Sequence, residues 1–464
     1  RSGVLTLADH AGALPPEALL QQVWLYQRLL PEKLQTPEGT LVKILHPGFW
    51  NREPGPDFRK AVIQIGSDAP VTGDVEIDLV AAGWEQHSHA GNPSYRNVVL
   101  HVTWEPGRHR HLLPTIAIKG ALDSTISDLA FWLGVEPKPL AEGLAGQCSG
   151  PFQSLNPTTL AAILKQAAQA RLRSKAEQLQ ARARQVGWEG ALWEGLFSAL
   201  GYKRNTWPMR RIAELLPTLL ACKPDSPSSV QALLMGIAGL LPAELPKTET
   251  VSSYFRNAWD AWWREADRLR EHQLPASLWA LGGIRPANHP QRRLALAAHW
   301  VSAGNLPARI EGWLGRKIES PDLQRSLSEI LQIHHDPFWS YRWTLNSKPF
   351  LKPQPLIGEQ RITDIAMNVI LPWLYVRALA GKNDFLAETA EARYFQWEAG
   401  EDNAVLKLAR NRLFGGMPAH PFKTAAQQQA LLQITRDFCD HSNAACDHCP
   451  FPGYLNTIAA RPNC

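Results

Sequence analysis

The stretch "GPDFRKAVIQIGSDAPVTGDVEIDL", residues 55–79, contains two runs that are rich in β-branched residues. The segment "SDAPVTG" between them is typical of a turn, so the pattern predicts two neighbouring strands. Alternate side chains of a strand share one face, which places Asp74, Glu76 and Asp78 together on the second strand. If the strands form a hairpin, Asp57 at the start of the first one lies beside Glu76 or Asp78.

Carboxylates set the chemistry of this stretch. Acidic residues are poor strand formers, so one that stands between apolar neighbours either faces water or binds something. Mg²⁺ takes one or two carboxylates together with water and phosphate oxygens. Asp57 and Glu76 are therefore candidate ligands of Mg²⁺ or Mn²⁺, and Asp78 is a further candidate catalytic residue. The alternative that the acids of the second strand form a solvated edge stays open.

Three histidines follow the acidic residues. His87 and His89 stand in "WEQHSHAG", and His101 stands in the strand-like run "NVVLHVTWE". An imidazole can bind a metal or orient and deprotonate water, so all three are candidate catalytic residues. The alternative is that they are structural histidines of the strands and loops.

The sequence pattern predicts three domains. Residues 1–145 combine a helical run, "PPEALLQQVWLYQRLL", with several short strand-like runs, which predicts an α+β or α/β domain with a small mixed sheet. A segment rich in Gly, Ser and Pro follows. Residues 155–435 then show apolar spacings of three and four, which predict a mainly helical domain. Residues 436–464 form a small tail with several cysteines.

The cysteines of the tail have the spacing C-x6-C-x2-C-x14-C at Cys439, Cys446, Cys449 and Cys464. Such a cluster, in a chain where we expect no secretory signal, indicates a metal site rather than disulfides. A [4Fe–4S] cluster and Zn²⁺ both fit four thiolates. His441 or His448 could replace Cys464 as a zinc ligand, and plain reduced thiols are the remaining alternative. The spacing of the first three cysteines resembles the iron–sulfur loop of endonuclease III and MutY type DNA glycosylases.

Composition limits the classes of function. The 464 residues carry a formal net charge of +5, which permits a polyanionic partner without requiring one. Because no apolar run is long enough for a membrane span, we expect a cytoplasmic protein. The chain has neither GxxxxGK[ST] nor a GxGxxG after a strand, so we expect no nucleotide cofactor. The helical region has basic clusters that form either solvated faces or a nucleic-acid surface: Arg171, Arg173, Lys175, Arg182, Arg184, Arg210, Arg211, Arg292, Arg293, Lys407, Arg410 and Arg412.

The acidic stretch resembles a known nuclease signature. Pro56-Asp57, eighteen intervening residues and Glu76-Ile77-Asp78 are similar to the PD-(D/E)xK pattern of restriction-endonuclease-like nucleases. The resemblance implies that Asp57 and Glu76 hold a divalent metal on the phosphate of a nucleic acid. The chain departs from the pattern at Asp78, which stands where those nucleases have a catalytic lysine. We expect His87, His89 or His101 to supply the proton-handling group instead.

A second resemblance covers nearly the whole chain. The runs "ILHPGFWNREPGPDFRKAVIQIG" and "GDVEIDLVAAGWEQHSHAGNPSYRNVVLHV" are similar to the signature of an uncharacterised bacterial family, a domain of unknown function. The downstream runs "GYKRNTWPMRRIAELLP", "GIRPANHPQRRLALAAHW" and "ITDIAMNVILPWLYVRALA" resemble the same family. This family usually has His where the chain has Asp78. The resemblance implies no activity.

These observations predict a metal-dependent nuclease, or a nuclease-like protein, that acts on nucleic acid and most simply on DNA. One alternative is a catalytically inactive nucleic-acid-binding protein that keeps a nuclease-like fold. The other is a metalloenzyme of unrelated chemistry whose metal is bound by His87, His89 and His101. The sequence leaves the oligomeric state open.

Overall fold

The computed structural model of the protein describes residues 15–51, 55–86, 89, 92–107, 111–123, 126, 129, 145–202, 204–245, 252–281, 284–402, 404–415, 422–439, 446 and 449–459. The chain divides into two compact units, Arg1–Pro139 and Leu140–Cys464. The first unit, called unit 1, carries the β-structure. The second, called unit 2, is mainly helical.

The described part of unit 1 starts with a short amphipathic helix and continues with a sheet. Pro16 has an extended backbone conformation and directly precedes the helix, a position where its fixed φ and missing amide are tolerated. The helix buries Leu19, Leu20, Val23 and Trp24. The helices and strands of unit 1 are α1 Glu17–Leu25, β1 Val42–His46, β2 Phe49–Trp50, β3 Phe58–Ile65, β4 Val71–Asp78, α2 Gly83–Gln86, β5 Val98–Thr103 and β6 Thr115–Ala117.

The six strands form one mixed sheet with the order β1-β3-β4-β5-β6, and β2 also pairs with β3. The β3–β4 pair is antiparallel, so the predicted hairpin is confirmed. The β4–β5 and β5–β6 pairs are parallel. Glu76 on β4 is the register partner of His101 on β5. The predicted α+β class with a mixed sheet is therefore confirmed.

Strand β4 is buried on both faces. Val75 and Ile77 pack into the core of unit 1, as the alternation of the sequence predicted. On the opposite face, Glu76 is only 6% exposed and Asp78 only 2% exposed. The solvated-edge alternative is therefore wrong for these two residues, since both carboxylates lie away from water.

Unit 2 is built around one long helix of 45 residues. The side chain of Asn156 accepts a hydrogen bond from the amide of Thr159 and caps its start. The helix is broken at Gly187, whose φ of +77° is a conformation that favours glycine. The helices of unit 2 are α3 Ser149–Gln153, α4 Pro157–Gly201, α5 Thr206–Glu214, α6 Leu216–Leu220, α7 Pro227–Ile237, α8 Ser253–Leu269, α9 Pro290–Ser302, α10 Leu306–Leu314, α11 Leu323–Leu331, α12 Glu359–Ile365, α13 Leu371–Ala380, α14 Asp384–Gln396, α15 Ala404–Phe414, α16 Ala425–Ile434 and α17 Phe451–Ala459.

Helices α12 and α13 are joined by a π-helical turn at Ala366–Ile370. Among the described residues, the continuous helical segment Glu359–Ala380 is long and apolar enough to cross a membrane, and 72% of its most apolar window is buried. Such burial is typical of a core helix and is consistent with a soluble protein. The described part of the predicted cysteine tail belongs to the hydrophobic core of unit 2, because Phe451 and Leu455 of α17 pack within that core.

Candidate functional site

The carboxylates of β3 and β4 meet at the start of β3. The backbone amide of Asp57 donates a hydrogen bond to Oε2 of Glu76 over 3.1 Å. The Oδ2 atom of Asp57 accepts one from the backbone amide of Ile77 over 3.0 Å. The hairpin therefore brings Asp57 beside Glu76, as the sequence predicted.

Helix α1 adds a third carboxylate that the sequence analysis missed. The side-chain amide of Gln21 donates to Oδ1 of Asp57 over 2.8 Å and to Oε1 of Glu17 over 3.3 Å. Glu17 and Gln21 are four residues apart and so lie on one face of the helix. That spacing was visible in the sequence, but nothing local indicated which strand this face would meet.

The carboxylate of Asp78 contacts a histidine of the neighbouring strand. Its Oδ2 atom lies 3.0 Å from Nε2 of His101, which is completely buried. The Nδ1 atom of His101 has no hydrogen-bond partner among the described residues. Gly83 lies against Asp78, and a Cβ atom at this glycine would be 2.6 Å from Oδ1 of Asp78. Asp78 therefore fits where it does because residue 83 has no side chain.

A second histidine lies on the other side of Glu76. Nε2 of His89 is 3.2 Å from Oε1 of Glu76, and both side chains are buried. The ring of His89 stacks on Tyr95 with the centroids 4.0 Å apart. The ring of Trp84 lies 5.3 Å from that of His89 and 5.7 Å from that of His101, centroid to centroid. Trp84 therefore packs against both imidazoles.

The sequence analysis singled out one histidine that cannot be placed here and missed another. His87 lies outside the described residues. His111, which precedes β6, has its ring centroid 5.0 Å from that of His101. Its sequence context, "PGRHRHLLP", carries no strand pattern that could have pointed to the site.

Burial and mutual repulsion make the carboxylates hard to ionise. Burial, reinforced by the charges of neighbouring carboxylates, raises the pKa of Asp57 to about 7. The same causes raise the pKa of Glu76 to about 9, and that of Tyr95 to about 12. Like charges held together away from water are unfavourable unless a counter-charge is present. Asp57 and Glu76, called the acidic cluster, therefore favour a bound proton or a bound cation.

The donor atoms can surround a metal ion. One ligand atom each of Glu76, Asp78 and His89 lie within 4.8 Å of one another. Carboxylate oxygens are typical ligands of Mg²⁺ and Mn²⁺, and a neighbouring imidazole also suits transition metals such as Mn²⁺, Fe²⁺ and Zn²⁺. The buried carboxylates fit a divalent cation because it supplies the positive charge that they need.

The predicted cysteine site lies in unit 2. Cys439 and Cys446 are buried and Cys449 is partly buried. Cys464, the predicted fourth ligand, and the alternative ligands His441 and His448 lie outside the described residues.

The basic clusters of unit 2 are largely engaged in internal contacts. On α4, Nε of Arg182 lies 2.7 Å from Oε2 of Glu194. Arg292 and Arg293 on α9 are 1% and 4% exposed. Arg292 donates to the backbone carbonyls of Arg342, Gln354 and Pro355. These arginines therefore stabilise the helical core, and Arg173 and Arg184 on α4 remain exposed to solvent.

Comparisons with known proteins identify a family but no activity. The family model described as "Protein of unknown function (DUF2851)" matches residues 17–403. The match begins at Glu17 and includes the described residues of the acidic cluster. No curated protein and no solved structure matches the chain.

Proposed function

The chain belongs to the DUF2851 family of proteins of unknown function, and we propose that it is a metal-dependent nuclease or nuclease-like protein that acts on nucleic acid. One observation carries the proposal, namely the pair of carboxylates that the β3–β4 hairpin brings together, with Glu76 buried and Asp57 partly buried. The amide of Asp57 donates to Glu76 over 3.1 Å, and burial together with the charge of Asp57 raises the pKa of Glu76 to about 9. A divalent cation suits such a pair.

The charge balance supports Mg²⁺ or Mn²⁺ as the cation. Asp57 and Glu76 are its proposed ligands, and Asp78 lies close enough to Glu76 to add a donor atom. A divalent cation in such a site lowers the pKa of a bound water and stabilises negative charge on a phosphate. The protein supplies the fixed donors, and Gln21 holds Asp57 in place through its hydrogen bond.

The histidines take the part that lysine has in similar signatures. Asp78 stands at that position, and its carboxylate orients His101 through the 3.0 Å contact with Nε2. His89 lies at the other edge of the cluster, 3.2 Å from Glu76. An imidazole beside a metal-held water can accept its proton. We propose His89 as this group, because His101 is completely buried.

The proposed substrate is DNA, and the proposed location is the cytoplasm. The support for DNA is the similarity of the Pro56-Asp57 and Glu76-Ile77-Asp78 spacing to nucleases that cleave DNA. Phosphodiester chemistry also explains why several carboxylates are gathered where one would suffice for structure, since a cation must be held against a charged phosphate.

The test is cleavage of labelled single- and double-stranded DNA and RNA with Mg²⁺ or Mn²⁺. Wild type is compared with Glu76→Gln and with the control Asp74→Asn. Asp74 lies on the same strand as Glu76 but is not part of the Asp57–Glu76 pair. The proposal expects metal-dependent cleavage that Glu76→Gln abolishes and Asp74→Asn keeps. Binding of nucleic acid without any cleavage would establish the inactive binder. Cleavage that Glu76→Gln leaves intact would contradict the proposed site.

A second candidate is a metalloenzyme of different chemistry that uses histidine ligands. The observation that favours it is the contact between Nε2 of His89 and Oε1 of Glu76 over 3.2 Å, since imidazole is a common ligand of transition metals. Metal analysis distinguishes the candidates. Tight binding of Fe²⁺ or Zn²⁺ that survives Asp57→Asn and is lost in His89→Gln would favour this second function.

A further inference from the structure

Four cysteines of unit 2 that are far apart in sequence lie close together. Cys148 precedes helix α3 and is 5% exposed. Cys439 ends a π-helical turn after α16, and Cys446 and Cys449 precede α17. Cys439 is 8% exposed and Cys446 is 7% exposed. None of the four is joined to another by a disulfide in the part of the chain that the structure describes.

Gly146 shows that Cys148 and Cys446 face the same small volume. A Cβ atom at Gly146 would lie 3.3 Å from Sγ of Cys148 and 3.6 Å from Sγ of Cys446. The backbone amide of Gly146 donates to the carbonyl of Arg412 over 2.8 Å. This hydrogen bond fixes the segment that carries Cys148 against the end of α15.

The two remaining cysteines border the same volume. The amide of Cys449 donates to the carbonyl of Cys446 over 3.2 Å, which closes a turn. Cys446 itself has a φ of +58°, an uncommon conformation for a residue with a side chain. Sγ of Cys449 lies 3.8 Å from the carbonyl of Phe438, the neighbour of Cys439. The turn therefore brings the C-x2-C pair against the segment that carries Cys439.

The pKa shifts of the buried thiols agree with this proximity. Burial is the main cause that raises the pKa of the Cys148 thiol to about 11, and charges on Cys446 and Cys449 add to it. Burial likewise raises the pKa of Cys439 to about 12, with contributions from Cys148, Cys446 and Cys449. The positive charge of Arg412 acts in the opposite direction on both thiols. The four sulfurs are thus within electrostatic reach of one another and of one arginine.

We propose that Cys148, Cys439, Cys446 and Cys449 together bind a [4Fe–4S] cluster, with Cys148 as the ligand distant in sequence. Nothing in this proposal depends on the nuclease activity proposed above. Each thiol loses its proton to solvent as its sulfur binds iron. Arg412, which is 2% exposed, compensates part of the negative charge of the four thiolates.

Four thiolates can hold a [4Fe–4S] cluster, in which each thiolate binds a different iron, or a tetrahedral Zn²⁺, and metal analysis distinguishes the two.

Aromatic side chains surround this part of unit 2. The Phe152 ring centroid lies 5.1 Å from that of Phe414 and 5.9 Å from that of Phe451. Phe438 stacks on Phe451 with the centroids 4.5 Å apart. A hydrophobic shell of this kind limits the access of solvent and oxygen to an iron–sulfur site. The surroundings therefore fit a stable, buried cluster.

The test is anaerobic purification followed by iron and acid-labile sulfide analysis and an absorbance scan near 400 nm. Wild type is expected to carry one [4Fe–4S] cluster per chain. Cys148→Ser is expected to lose the iron and the absorbance. The matched controls Cys464→Ser and Cys222→Ser are expected to keep both. Zinc in place of iron, or a cluster lost in Cys464→Ser and kept in Cys148→Ser, would overturn the proposal.

A measurement on wild type covers the case in which Cys148→Ser does not fold. Iodoacetamide is added to the anaerobic protein in urea, which exposes buried thiols, before and after removal of iron with a chelator, and labelled cysteines are read by mass spectrometry. The proposal expects Cys148 to become labelled only after iron is removed, whereas Cys464 is labelled from the start. Protection of Cys464 together with labelling of Cys148 in the iron-loaded protein would exclude Cys148 as a ligand.

Discussion

The backbone amide of Asp57 donates a hydrogen bond to Oε2 of Glu76 over 3.1 Å, although both residues carry carboxylates that repel each other. The backbone of the hairpin, rather than side-chain packing, sets this arrangement, since Asp57 in turn accepts from the amide of Ile77. A neutral side chain of the same shape as Glu76 can still accept the hydrogen bond from the amide of Asp57. Charge and geometry can therefore be separated experimentally at this site.

Glu76→Gln is expected to stabilise the metal-free protein while it removes metal binding. Burial and nearby charges raise the pKa of Glu76 to about 9, so the folded state disfavours its ionised form. An amide removes that penalty, and we expect a gain of about 1 to 3 kcal/mol in the free energy of unfolding at pH 8. Urea unfolding with a chelator measures the gain, and calorimetric titration with Mn²⁺ measures the loss of binding.

Asp74→Asn is the control for this substitution. Asp74 lies on the same strand, and its Oδ1 accepts from the amide of Lys60. We expect stability within about 0.5 kcal/mol of wild type and unchanged Mn²⁺ affinity. A loss of stability in Glu76→Gln without metal would contradict the interpretation that its charge is unfavourable in the folded state.

The metal-free protein is expected to lose stability as the pH rises from 5 to 9. The pKa of Asp57 is about 7 and that of Glu76 about 9 in the folded state, above their usual values, so the folded protein holds protons that the unfolded chain has released. Each such proton lowers the free energy of unfolding by about 1.4 kcal/mol per pH unit. Mn²⁺ should reduce this slope, because it favours the ionised carboxylates.

Thermal unfolding at pH 5, 7 and 9, with chelator or with Mn²⁺, measures the pH dependence. Glu76→Gln serves as the comparison, because its slope should be smaller than that of wild type. A stability that rises over this range in chelator would show that other groups outweigh the acidic cluster.

Gly83→Ala is expected to disturb Asp78. The added Cβ atom would lie 2.6 Å from both Cγ and Oδ1 of Asp78, so that side chain must move and its contact with His101 must weaken. We expect a loss of about 1 to 3 kcal/mol in stability and weaker Mn²⁺ binding. Gly120→Ala is the control, because its added Cβ atom meets nothing within 4 Å among the described residues. Equal effects of the two substitutions would rule out the close contact as the cause.

Glu17→Gln is expected to weaken metal binding less than Glu76→Gln does. Glu17 reaches the cluster through Gln21, which donates to both Glu17 and Asp57. Substitutions of groups that support metal ligands typically lower affinity 10- to 100-fold, and we expect a decrease of about tenfold for Mn²⁺. The exposed Glu32 is the control, and Glu32→Gln should bind Mn²⁺ as wild type does. An unchanged affinity in Glu17→Gln would remove helix α1 from the site.

Arg292→Met is expected to destabilise unit 2. The guanidinium of Arg292 donates to the backbone carbonyls of Arg342, Gln354 and Pro355, and its removal leaves these acceptors without their donor. We expect a loss of about 3 to 5 kcal/mol in urea unfolding. Arg325→Met, at a residue whose side chain is 73% exposed, should change stability by less than about 0.5 kcal/mol. If Arg292→Met mainly weakened DNA binding, the structural role would be wrong.

Local patterns in the sequence were sufficient for the hairpin and for the pairing of Asp57 with Glu76. The period of two in β4 determined which side chains share a face, and the turn determined which strand lies opposite. The same pattern could not show that Glu76 and Asp78 are buried. Their burial depends on residues distant in sequence, among them His89 beside Glu76 and His101 beside Asp78.

Residues joined through distant contacts could not be found in this way. Gln21 meets Asp57 across 36 positions, and no local pattern shows which helix face meets which strand. Cys148 was a solitary cysteine in a segment rich in Gly and Ser. Its proximity to the cysteines after α16 depends on the packing of the whole helical unit, for example on the hydrogen bond from Gln153 to the carbonyl of Phe414.

The hydrogen bond between Gly146 and Arg412 has a consequence for the synthesis of the chain. A ribosome releases Cys148 early and the segment from Cys439 to Cys449 only after nearly all of unit 2 has been translated. Chains fold from the N-terminal side as they emerge, so a nascent chain contains Cys148 well before the other three proposed sulfur ligands have been synthesised. Insertion of the proposed cluster therefore requires a polypeptide that has been translated past Cys449, and a colour test of purified protein separates such chains from prematurely terminated ones.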